Sequence, residues 1–174
     1  QFRHSLTREA IASEIPAPRA RRLHLEVAEA LAAGGGGARA AMLFRHFAAA
    51  GEPVRALRYA REGAQHATRV GAFPAAIDLL RQAVDLAPAS DEAPAGLEEL
   101  ASALRAAGRA AEAREALERA RASVADPATA ARLDVRLAAV LRMEGRRDRA
   151  LQHVRRAIEA LEPTPGAALA EAIV

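Results

Sequence analysis

Five histidines, His4, His24, His46, His66 and His153, are the first residues to weigh for metal or acid–base chemistry. A hydrolytic zinc site needs two of them one helical turn apart, as in HExxH, or cysteine partners. Neither arrangement occurs and the chain has no cysteine, so helix packing or surface is expected for each histidine, with no metal site. The same lack of cysteine removes disulfides and thiolate nucleophiles. Ser5, Ser13, Ser90, Ser102 and Ser123 lack the Gly-x-Ser-x-Gly turn that exposes a nucleophile. Glu98 and Glu99, and then Glu112, Glu115 and Glu118, recur at helical spacing beside Arg114, Arg119 and Arg121. That pattern is ion pairing on an exposed helix face rather than an acid–base dyad. Gly34 to Gly37 offer the glycines of a phosphate cradle, but no Gly-Lys-Ser/Thr follows and no strand precedes them, so a flexible interhelical linker is expected. All 25 basic residues are arginine, which excludes a P-loop lysine or a Schiff-base lysine within the chain. No catalytic residue and no cofactor site is expected. Any ATPase, cyclase or kinase activity would lie outside these residues.

The elements that carry these side chains are set by a repeat. Gly71, Gly108 and Gly145 stand 37 residues apart, and each is followed by alanine five and twelve residues on: Ala76 and Ala83, Ala113 and Ala120, Ala150 and Ala157. A larger apolar residue falls between them each time, at Leu80, Leu117 and Val154. A period of this size marks stacked supersecondary units. The glycine supplies the left-handed residue that ends one helix and reverses the chain. Alanines seven apart lie two turns apart on one face, where their size lets two helix axes approach closely, and the larger residue fills the seam between them. Pro88, Pro127 and Pro163 fall at or just past the ends of the three units, where a helix can stop but not continue. Pro18, Pro53 and Pro74 fall in first turns, where the missing N–H costs nothing. Helices are expected at 5–14, 18–33, 38–50, 53–70, 73–87, 94–107, 110–124, 128–144 and 147–161, with another starting near 166. No segment alternates β-branched residues, so no sheet is expected. Flexibility is expected at Gly34 to Gly37 and around Pro88 to Pro94.

Composition agrees. Half of the 174 residues are apolar (51%) but aromatics are only 3%, so small side chains must supply the packing. The isoelectric point near 10.7 overstates any case for nucleic acid. Residues 1–72 hold 11 arginines against 6 acids, and residues 73–174 hold 14 against 16. Neither half is a polycationic arm, and arginines interleaved with glutamates are solvated helix faces. The arginine and alanine bias fits GC-rich coding. No stretch approaches the roughly 18 apolar residues of a bilayer span, and no signal peptide is visible. The chain opens at Gln1 within an apparent element and closes inside AALAEAIV, so a piece of a longer protein is expected.

On these residues the chain resembles a known family. GAFPAAIDLLRQAVDLAP, from Gly71 to Pro88, is similar almost position for position to the second helix of a tetratricopeptide repeat (TPR), including Phe73 and the terminal proline. GRAAEAREALERA and GRRDRALQHVRRA, from Gly108 and Gly145, fit with small departures. First helices match less well: Ala60, Leu97 and Asp134 stand where the repeat has its bulky aromatic, while Ala64, Ala101 and Ala138 keep its small eighth residue. The N-terminal third, Phe2 to Leu31, resembles the stretch that joins the winged-helix region to the helical repeats in large signal-transduction ATPases, such as MalT-like and LuxR-type transcriptional regulators. The residues that carry this are Phe2, His4, Arg8, Glu9, Ala10, Leu23, His24 and Ala28 to Leu31. His46 to Ala67 continues it.

The resemblance implies an all-α fold, a right-handed α-solenoid of antiparallel helix pairs forming a TPR-like superhelix. Residues 1–37 would be the joining segment and 38–174 the repeats, clearest at 57–88, 94–127 and 131–163, with a truncated C-terminal repeat. Their function would be recognition. In TPR arrays positions 2, 5, 9 and 12 or 13 of each first helix line the concave groove. Carried over, these are Arg58, Arg61, Gln65 and Arg69, then Glu98, Ser102 and Arg105, then Arg132, Val135 and Arg142. The register in helix 53–70 is the least secure, because that helix serves two repeats at once. An arginine-rich groove suits an acidic or carboxylate-bearing peptide; the same arginines also read as solvated surface. The parent family implies a bacterial, cytoplasmic regulator in which the repeats sense a protein partner or a small-molecule effector and restrain an ATPase or transcriptional output. The alternative is a free-standing scaffold that assembles partners without a nucleotide switch. Neither reading calls for nucleic acid or membrane binding by these residues.

Overall fold

The computed structural model describes residues 15–33 and 39–161. They form eight α-helices and no strand: α1 (Ala17–Ala33), α2 (Ala40–Ala50), α3 (Pro53–Arg69), α4 (Phe73–Leu86), α5 (Ala93–Ala106), α6 (Ala110–Ala122), α7 (Pro127–Met143) and α8 (Arg147–Leu161). Each starts and stops within two residues of its expected bounds. The helices expected at 5–14 and from 166, the Gly34 to Gly37 run and Pro163 lie outside the described residues.

The reversals follow one pattern. Gly71, Gly108 and Gly145 have φ of 75°, 76° and 77°, and Gly51 joins them at 81°. At Gly108 the glycine N–H donates to the Arg105 carbonyl at 3.0 Å and the Arg109 N–H to the Leu104 carbonyl at 2.8 Å, capping the orphan carbonyls of α5. Gly51, Gly71 and Gly145 repeat the pair of bonds. A Cβ at any of these four glycines would meet nothing within 4 Å, so glycine is required there by its dihedral angles and not by space. Gly51 also opens the repeat phrase, with Ala56 five residues on and Gly63 in place of alanine at twelve. Helix α3 is therefore the returning partner of α2 and also the leading partner of α4, and it packs on both. That double role is why its register is ambiguous in sequence.

The turn at Pro88 to Glu92 is closed by hydrogen bonds. Ser90 N–H donates to the Ala87 carbonyl, Ala93 N–H to the Ser90 carbonyl, and Glu92 N–H to Ser90 Oγ. Pro94 falls inside α5, in its first turn. Asp126 caps α7, its carboxylate accepting from the Thr129 N–H at 2.8 Å and from the Thr129 hydroxyl. These bonds hold the Asp126 carboxyl below its ordinary range, the hydroxyl contributing most.

The chain separates into two compact units, residues 1–96 and 97–174. In the first, α1 packs on α2, and the core is Phe47, Leu57, Ile77, Leu80 and Val84. Ala56, Ala60, Ala76 and Ala83 are fully buried at the seams. At Gly63 the helices approach closely: a Cβ would stand 2.9 Å from Leu79 Cδ2 and 3.3 Å from the Ala41 nitrogen, so the Leu79 side chain would have to shift to admit a methyl group. The second unit buries Leu104, Leu117, Leu133, Leu137 and Leu141 with Ala113, Ala120 and Ala131. Leu80 and Leu117 fill their seams as expected, whereas Val154 remains 38% exposed because no described helix packs over it.

Candidate functional site

In the unit 97–174 the first helices α5 and α7 lie side by side and bring several of the expected groove residues together. Glu98 of α5 is buried; its carboxylate accepts from the Arg132 guanidinium and forms an ion pair with Arg136, whose Nε lies 2.9 Å away. Arg132 and Arg136 are one turn apart on α7, so both reach one carboxylate. Arg136 also donates to Ser102 Oγ at 3.2 Å, and Ser102 Oγ donates to the Glu98 carbonyl at 3.1 Å. Glu98 thus anchors two arginines of α7, and Arg132, an expected groove residue, is already paired within the fold.

Beside this network lies a concavity of about 270 Å³, lined by Ser102, Arg105 and Arg136 over Ala101, Ala139, Leu117 and Val140. No acidic side chain lines it. Arg105, in the last turn of α5, is exposed and has no acidic partner among the described residues. Val135 and Arg142 line a second, apolar concavity between α7 and α8. Arg136 was not among the expected groove residues; its position four residues after Arg132 is the signal that marks it.

The remaining expected residues lie on α3 in the other unit. Arg58 pairs with Glu62 at 3.6 Å on the helix surface, and Arg61 reaches Glu92 at 3.1 Å. Gln65 and Arg69 follow on the same face and are exposed.

The ion pairs expected on α6 differ in detail. Arg109 grips Glu112 with two bonds of 2.6 and 2.7 Å. Arg114 is largely covered, bonding Glu118 at 2.8 Å and lying 3.4 Å from Glu144. The Glu118 hydrogen bond, opposed by burial, raises the Arg114 pKa further. Arg121 leaves that exposed face altogether: its Nε donates at 3.0 Å to Asp134, the residue standing where the repeat has an aromatic. His153 Nδ1 meets the other Asp134 oxygen at 2.7 Å. One buried carboxylate therefore ties α6, α7 and α8 together. Among the described residues no cluster of three or more potential ligands could hold a metal ion, and no helix is long and apolar enough to cross a membrane.

Antiparallel helix pairs reversed at left-handed glycines, with alanine seams and exposed arginines on the first helices, define a class of helical-repeat proteins. No protein-family profile matches the sequence, and a comparison with curated proteins finds no match. Solved structures do match. MamA from AMB-1 is similar with a TM-score of 0.61 and 22% identity, over 86% of this chain and 78% of that one. A second MamA crystal structure gives 0.51 at 18% identity, over 83% and 88%. The nearly identical TPR-like repeats assigned to a Podosopora anserina kinesin light chain give 0.51 at 19% identity, over 90% and 92%. At such identities the likeness establishes the fold: an all-α, TPR-like array of antiparallel helix pairs.

Proposed function

We propose that the chain is a protein-binding repeat region, a TPR-like scaffold whose first helices hold an acidic segment of a partner. The observation that carries this is Arg105 at the edge of the α5–α7 concavity, unpaired among the described residues, beside the Ser102 hydroxyl and Arg136 and above an apolar floor. A guanidinium presents a planar fork of donors that matches a carboxylate, and the floor accepts a small apolar side chain next to it. Glu98 contributes by holding Arg132 and Arg136 in place, which lowers the entropy lost when a ligand binds. Arg142 and, in the other unit, Arg69 are further exposed guanidinium groups on first helices.

The scaffold reading draws on the fold. A narrower setting, in which these repeats sense an effector and restrain a bacterial, cytoplasmic signalling ATPase or transcriptional regulator, draws only on the residues of Phe2 to Leu31 and His46 to Ala67. The division into a joining segment at 1–37 and repeats at 38–174 belongs to that setting. Catalysis has no part in either reading.

Calorimetric titration with a glutamate-rich peptide ending in a free carboxylate tests the proposal. Arg105→Glu combined with Arg142→Glu is expected to weaken binding by about tenfold or more, with far-UV circular dichroism unchanged. Unchanged affinity in the double variant would remove this surface as the binding site.

A further inference from the structure

In the unit 1–96 a concavity of about 320 Å³ lies where α2, α3 and α4 meet. The 37-residue period shows why it is open. Leu100 and Leu104 of α5, and Leu137 and Leu141 of α7, are all buried. The corresponding residues of α3 are Gly63 and Ala67, which leave that space unfilled and line the concavity. Phe44 of α2 and Leu79 of α4 complete an apolar floor. Four polar side chains stand around it: Arg45 of α2, His66 of α3, and Asp78 and Gln82 of α4. All four are exposed, and none has a hydrogen-bond or ion-pair partner among the described residues. Arg55 and Arg61 of the same unit, by contrast, reach acids outside their own helix, Glu29 and Glu92. Arg45 and Asp78 are thus opposite charges gathered at one concavity and not joined to each other.

We propose that this concavity binds a free α-amino acid with a medium-sized apolar side chain, of which leucine is the type. Arg45 takes the ligand's carboxylate through its planar fork of donors, and Asp78 takes the ammonium. His66 and Gln82 supply further hydrogen bonds to the same polar end. The ligand's side chain lies on Phe44, Leu79 and Ala67, in the space that the later repeats fill with leucines of their own. Size agrees. A volume of about 320 Å³ is at the lower end of the roughly 300–1,000 Å³ of small-molecule sites and is too small for a partner helix. A singly charged ligand gains only one of the two ionic contacts, whereas the zwitterion gains both. The site shares no residue with the Arg105 concavity and adds a small molecule to the protein-binding reading.

The test is isothermal calorimetry of the full chain with L-leucine, compared with N-acetyl-L-leucine, which lacks the ammonium, and L-leucinamide, which lacks the carboxylate. Leucine is expected to bind saturably with a Kd below about 1 mM, and each analogue about tenfold or more weakly than leucine. Arg45→Gln should weaken leucine about tenfold and erase its advantage over leucinamide; Asp78→Asn should do the same against N-acetyl-leucine. Both side chains are exposed, so circular dichroism should not change. Ala67→Leu, which places there the residue of the later repeats, should abolish leucine binding with helicity kept. No saturation by about 10 mM leucine, equal affinity for leucine and either analogue, or indifference to the two charge variants overturns the proposal. If leucine fails while the glutamate-rich peptide still binds through Arg105, this inference falls and the scaffold reading stands. If the peptide fails while leucine binds, the reverse holds.

Discussion

Asp134 is the residue at which local sequence and tertiary environment disagree most. It occupies a position that asks for a bulky apolar side chain, and it is 2% exposed. A buried carboxylate persists only if its oxygens are satisfied, and here each has one donor-bearing partner, Arg121 and His153. Removing it leaves both partners without an acceptor. Asp134→Ala is expected to lower stability by about 1–3 kcal/mol in chemical denaturation. Nothing in the spacing of Arg121, Asp134 and His153 marks them as a group, since they lie on three helices; only the packing of those helices brings them together.

Among the elements, the helix seams depend on small residues. Ala113 is fully buried, and Ala113→Leu should overpack the face α6 presents to its neighbours, costing about 1–3 kcal/mol in thermal or denaturant melts. A neutral effect would contradict the seam.

The contact between α1 and α2 should depend on pH. His24 Nδ1 and His46 Nδ1 lie 3.0 Å apart, which requires one donor and one acceptor and hence at least one neutral ring. Burial first, and then the charge on His24, push the His46 pKa below its ordinary 6.5. A lowered folded-state pKa means that the unfolded chain takes up the proton first. Stability from this contact is therefore whole above pH 6.5 and falls as pH drops from there through the lowered folded value. The drop in melting temperature between neutral pH and pH 5 is expected to shrink in His46→Gln. An unchanged pH slope would show that this pair does not couple to folding.

At the scale of the molecule, the formal charge of +3 is too small to capture anions without local geometry, so binding should follow arginine placement rather than net charge. Affinity for the glutamate-rich peptide should fall as salt rises from about 0.05 to 0.5 M, while the chain's helicity stays constant. A salt-independent affinity would mean that apolar contacts dominate.

Much of the architecture was legible from the glycines and alanines alone. A left-handed turn residue and a small seam residue act locally, so their spacing gives the helices, their ends and their antiparallel pairing. The fourth turn, at Gly51, carries the same signal, partly hidden because Gly63 replaces the second alanine. The candidate site was legible only as a list of arginines. Sequence spacing placed Arg105, Arg132 and Arg142 on first helices, but could not say that Glu98 is buried beneath Arg132 and Arg136, that Arg105 has no acidic partner among the described residues, or that Val154 stands open beside Leu151 and Ile158. Those facts depend on which helix lies against which, and on the distance between side chains some 34 residues apart or more. Sequence determined the repeating helices because turn and seam propensities are properties of a few neighbouring residues. Only the tertiary structure decided which charges are paired within the fold and which stay exposed, because pairing and burial are properties of packed neighbours.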